Sequence, residues 1–146
     1  MARDGPFWDF VAGRTEPPGA ARTLGFELIA VDPDAGTIEI AFRATEAFLN
    51  PAGVVQGGFL AAMLDDTLGP ALVATLAPGE WAPTSDLHVQ FHAPARPGRL
   101  IGRGRVVRRG RGLAHLAGDL RSEDGTILAS AMATAVVRAR PPEPLG

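Results

Sequence analysis

The sequence predicts an α+β domain in which a strongly curved antiparallel sheet wraps one buried helix. Two observations carry this. From Gly58 to about Leu76 the chain is apolar on nearly every side and too long for a strand, so it reads as a helix that must be covered. Around it lie short segments of alternating apolar and polar residues separated by turn signals, the pattern of antiparallel strands. A helix apolar all round needs a wrapper, and a curved sheet supplies one.

The elements follow in order. Phe7–Ala12 is a short apolar patch, read as a helix over 6–13, and Thr15-Glu-Pro-Pro-Gly19 breaks it. Phe26–Val31 and Thr37–Phe42 read as a hairpin turning at Asp32-Pro-Asp-Ala-Gly36. Residues 44–56 form a loop with a turn at Asn50-Pro51. Pro70, following Gly69, is expected to kink or divide the central helix, and Ala77-Pro-Gly79 to end it. In Thr84–His92, Leu87, Val89 and Phe91 share one face, with Asp86, His88, Gln90 and His92 on the other. A strand from Leu100 to about Arg109 places Arg103 and Arg105 on one face and runs into the basic turn Arg108–Gly112. Leu113–Arg121 pairs with Ile127–Val137 through Ser122-Glu-Asp-Gly125. One domain spans 1–146, with its core at about 20–138 and a frayed tail at 139–146. The open sheet edges favour pairing with a second copy.

Composition narrows the function. With 146 residues, 46% hydrophobic and 21% charged, the chain is an ordinary globular domain. Its net charge of −2 gives no basic field for nucleic acid. All fourteen basic residues are Arg. Cysteine is absent, which removes thiolate nucleophiles and Cys-based metal sites, and the three histidines lack metal-ligand spacing, so no metal is expected. The start Met-Ala-Arg-Asp-Gly-Pro lacks a signal peptide's apolar run, and no run reaches membrane-spanning length. A cytoplasmic protein acting on a small molecule is the expectation.

The most telling passage is Asn50 to Asp66. A glycine pair, Gly57-Gly58, opens the apolar helix, and two carboxylates, Asp65 and Asp66, sit inside it. Ionised acids in a buried segment are costly unless paired or put to use. Backbone N–H groups at a helix start favour developing negative charge, and glycine allows close approach. Gly57 N–H is thus a candidate oxyanion donor; the competing reading is a simple chain turn. Asp65 and Asp66 lie about 100° apart around the helix, so only one can serve a given site and the other is structural.

The order Asn50, Gln56-Gly57-Gly58, Asp65, Thr84 through Phe91 and Pro94, then Arg108-Arg109-Gly110-Arg111 resembles the hotdog-fold acyl-CoA thioesterases, especially the phenylacetate-pathway type, over roughly residues 20–138. The resemblance implies hydrolysis of an acyl-CoA to free acid and CoA with no cofactor, and Phe59, Met63 and Leu64 suggest an aromatic or medium-chain acyl group. It selects Asp65 as general base or nucleophile and Thr84 as the hydroxyl that orients water. It also implies a dimer with shared active sites, or a dimer of such dimers, in which one subunit supplies the glycine amide and the other the acid. Eight helical residues span about 12 Å, too far for Gly57 and Asp65 of one copy to grip the same carbon. The family's His before the glycines is Gln56 here, which is neutral at every pH and cannot transfer protons. That substitution keeps open a second reading, an acyl-CoA-binding module that does not hydrolyse. Asn50 and Gln56 are expected to position the thioester oxygen or the loop. Gly58, Phe59, Met63 and Leu64 are expected to shape the substrate pocket, and Arg108, Arg109 and Arg111 to meet the CoA phosphates.

Overall fold

A computed structural model describes residues 3–139. The order is α1 (Pro6–Val11), α2 (Gly19–Leu24), β1 (Glu27–Asp32), β2 (Thr37–Ala44), a 3-10 turn (Glu46–Phe48), α3 (Gly57–Val73), β3 (Thr84–Phe91), β4 (Gly98–Arg109), β5 (Leu113–Ser122) and β6 (Ile127–Val136). The six strands form one antiparallel sheet in the order β1-β2-β4-β5-β6-β3. Apart from Ala139, the tail expected to fray lies outside the described residues.

Helix α3 lies across the concave face, against β4 and β5 and also touching β2, β3 and β6. Leu60, Met63, Leu64, Thr67, Leu68, Ala71 and Leu72 are all buried, which accounts for the apolar run in the sequence. The sheet comes close to the helix because glycines face it. A Cβ at Gly104 would press on Thr67 and Leu68, and one at Gly118 would land on the Arg103 carbonyl oxygen. Among the described residues Thr67 is the one polar residue in the buried core, and its hydroxyl donates to the Met63 carbonyl at 2.7 Å.

Two expectations about α3 are corrected. It begins at Gly57 and ends at Val73, three residues before Leu76. It also runs unbroken through Pro70: the proline removes one backbone donor, and burial against the sheet on both sides of it holds the helix together. The helix α2 was not anticipated. Gly25, left-handed at φ 69°, closes it as its N–H donates to Arg22 O and that of Phe26 to Ala21 O.

Candidate active site

The approach to α3 is tied down by backbone bonds. Asn50 Oδ1 accepts from the N–H groups of Ala52 (2.9 Å) and Val54 (3.3 Å), and its own N–H donates to Val54 O. Gly53, at φ 78°, completes this turn. Val55 N–H donates to Ala95 O and Gln56 N–H to Phe48 O. Asn50 Oδ1 thus holds the loop that leads into α3. Gln56 stands exposed at the N-cap and its side chain makes no capping bond, so the first amides of α3 have no side-chain acceptor. The Phe91 ring covers Gly57 so closely that a Cβ there would sit 3.0 Å from Phe91 Cζ. Phe59 stacks on Phe48 with ring centroids 4.1 Å apart.

Two turns along the helix, Asp65 meets β3. The Thr84 hydroxyl donates to Asp65 Oδ1 at 3.0 Å, joining two of the residues selected from the sequence. Asp65 is exposed in the protomer, whereas the sequence had suggested an acid sunk in an apolar helix. The sunken acid is Asp66. Its Oδ2 is buried without a hydrogen-bond partner. Burial, and then the neighbouring Asp65 charge, push its carboxyl up to about 7. Asp65, Asp66 and Thr84 line one cavity of about 360 Å³, together with Phe7, Gly69 and Pro70.

Other expected site residues fall elsewhere. Met63 and Leu64 are 0% exposed, sealed beneath the sheet, and cannot line a substrate pocket. They sit on the face of α3 turned away from Asp65, toward the sheet that the helix needs for its stability. Arg109 is engaged by both carboxylate oxygens of Glu80 at 3.0 Å, while Arg108 and Arg111 are exposed. All three histidines are exposed, and His92 bonds Ser130 Oγ at 2.7 Å. Sequence reading passed over Phe7, Phe10 and Phe26, which gather beside Asp66. The aromatic cluster of Phe7, Trp8 and Phe10 was the one available signal. No group of side chains suited to a metal ion occurs among the described residues, and no described helix is long and apolar enough to cross a membrane.

Residues 52–129 match the family model of the thioesterase superfamily. The chain belongs to the thioesterase superfamily. It is accordingly a hydrolase of thioester bonds. A candidate esterase of Deinococcus radiodurans is 32% identical over 126 residues, covering 83% of this chain and 82% of that one. Among solved structures, a phenylacetic acid degradation-related protein of Ralstonia eutropha JMP134, a candidate thioesterase, is 45% identical. It has a TM-score of 0.85, covering 89% of this chain and 98% of its own. The Escherichia coli PaaI protein, from the phenylacetic acid degradation operon, is 20% identical with a TM-score of 0.78 over 89% and 91% of the two chains. At that identity it attests the fold alone, and this thioesterase superfamily member has the expected hotdog architecture.

Proposed function

We propose that the enzyme hydrolyses an acyl-CoA, with water activated by Asp65 and the carbonyl oxygen held by the Gly57 N–H of a second copy. The observation that carries this is the Thr84–Asp65 hydrogen bond at the mouth of a cavity. Thr84 fills one oxygen of the carboxylate and leaves the other to accept from water. The water attacks the thioester carbon and gives its proton to Asp65. The tetrahedral oxyanion accepts from Gly57 N–H, and collapse expels the CoA sulfur, which takes the proton back. Direct attack by Asp65 is the other route to the same products, and single turnover in 18O-water tells them apart by label in the carboxylate.

Topology supports sharing the site between two copies. Strand β3 is a sheet edge, with Thr84 against Asp65 at one end and Phe91 over Gly57 at the other. Antiparallel pairing of two β3 edges sets the glycine end of one copy beside the acid end of the other. Phe91, at the end of this edge strand, is 55% exposed, apolar surface that such pairing would cover. Within one chain Gly57 and Asp65 remain about 12 Å apart. Arg108 and Arg111 are exposed in the basic turn, with no ion pair among the described residues, and suit the CoA phosphates.

The test is release of free CoA from a panel of acyl-CoAs by the wild type and Asp65→Ala. Loss of turnover in the variant supports the assignment. Undiminished turnover removes Asp65 from the reaction, and tight binding with no release by either protein identifies a non-hydrolysing module.

A further inference from the structure

With Met63 and Leu64 sealed in the core, the acyl group needs another berth. A second cavity, of about 540 Å³, opens on the far side of Asp66, between α1, α2 and α3. Phe7, Phe10 and Phe26 wall it, with Pro18, Ala21 and Pro70. It shares Phe7, Asp66 and Pro70 with the cavity that holds Asp65 and Thr84, so the two adjoin. Its aromatic wall is anchored: Phe10 meets Phe26 edge-on at 5.3 Å, and Phe26 meets the buried Phe42 at 5.9 Å. Every charged residue lining it is acidic, namely Asp9, Glu16 and Asp66.

We propose that this cavity receives the acyl group, and that it selects uncharged apolar acyl groups, aryl or medium-chain, over those ending in a carboxylate. The proposal rests on the acyl-CoA hydrolase reading of Asp65 and Thr84. Position is the first reason, since a thioester carbon at Asp65 has this apolar space next to it. Size is the second, because the volume lies within the range of small-molecule pockets. Charge is the third. A terminal carboxylate would lose its hydration against three phenylalanines and meet Glu16 and Asp66, while Asp9 is already paired with Arg14 and no arginine lines the cavity itself. The residue that tunes the choice is Asp66. Asp66 lines both cavities, its Oδ2 is buried without a partner, and its carbonyl lacks the helical donor that Pro70 cannot supply. Phe10 sets how far the cavity extends.

The experiment compares kcat/KM for acetyl-, hexanoyl- and adipoyl-CoA in the wild type, Phe10→Ala, Phe10→Trp and Asp66→Asn. Hexanoyl-CoA is expected to exceed adipoyl-CoA by about tenfold or more, and Phe10→Trp to lower the hexanoyl-to-acetyl ratio by about tenfold. Phe10→Ala moves the preference the opposite way, toward longer chains, and Asp66→Asn narrows the hexanoyl-to-adipoyl ratio. A merely structural Phe10 would lower every substrate together. Thioester cleavage with ratios unmoved by either Phe10 variant, or adipoyl cleaved as well as hexanoyl, overturns the cavity assignment alone. Absence of cleavage of any thioester overturns the hydrolase reading and this proposal with it.

Discussion

The hydroxyl of Thr84 donates to Asp65 Oδ1 across 3.0 Å, from the first residue of an edge strand to the ninth residue of the central helix. It fixes which oxygen of the carboxylate is occupied and which can take a proton from water. Hydrogen bonds to charged groups contribute about 1.5–3 kcal/mol, which sets the scale for its removal. Thr84→Val is therefore expected to lower kcat/KM by about ten- to a hundredfold. Thr84→Ser, which keeps the hydroxyl, restores most of it. Steady-state CoA release with unchanged circular dichroism checks this; equal losses in Val and Ser would show that the methyl group, not the hydroxyl, matters.

Asp66 should leave a mark on stability against pH. Burial, then the Asp65 charge, raise its carboxyl from 3.8 to about 7 in the folded state. The folded protein then holds a proton that the unfolded chain has released over this interval, so unfolding free energy falls as pH rises from about 4 to about 7. The stabilisation is complete below the unfolded value and gone above the folded one. Allowing for partial exposure, it amounts to on the order of 2 kcal/mol. Urea unfolding at pH 5 and pH 8 should show the loss in the wild type and a smaller one in Asp66→Asn. Parallel pH dependences in the two proteins would contradict it.

How much was legible beforehand follows from what each signal depends on. The alternation that leaves Leu87 and Val89 partly covered between exposed neighbours and the apolar run of α3 report one-sided and all-round burial directly, so the strands and the helix could be read. Asp65 and Thr84 lie nineteen residues apart in the chain, and only their place in a recognised pattern linked them before the hydrogen bond was seen. Met63 and Leu64 misled because periodicity says a residue is covered without saying by what; they face the sheet, not a ligand. Pro70 misled because local propensity yields to packing on both sides of it. The sequence placed two acids in the apolar helix, and it is Asp66 rather than Asp65 that sinks. Which member sinks depends on where α1 and α2 fold back, and no short-range pattern encodes that.

Gly118 tests how tightly the sheet hugs the helix. Its missing Cβ would strike the Arg103 carbonyl oxygen on β4 and come within 2.9 Å of Leu68 Cδ2 and 3.1 Å of Gly104 Cα. Two of those three obstacles are backbone, so relief needs strand movement rather than a rotamer change. Gly118→Ala is expected to destabilise by about 1–3 kcal/mol, the usual cost of overpacking. Thermal unfolding measures it, and a midpoint equal to the wild type would mean that β4 and β5 separate freely at this point.

Site sharing makes the sharpest prediction. Gly57 is the first residue of α3, where proline is tolerated because its missing N–H has no helical partner anyway. The preceding Gln56, at φ −56° and ψ 134°, already has the backbone that a following proline demands. Gly57→Pro, with Phe91→Leu to make room, therefore deletes the proposed oxyanion donor while sparing the helix. Alone it should lose about a hundred- to a thousandfold in kcat, as removal of one such donor does elsewhere. Asp65→Asn should be similarly impaired. If each site takes its amide from one copy and its acid from the other, a mixed dimer holds one intact site and one doubly broken. Random exchange makes half the dimers mixed, so activity should recover to about a quarter of the wild type. Native mass spectrometry establishes that mixed dimers have formed. Mixed dimers without recovered turnover would show that the amide and the acid are not traded between copies.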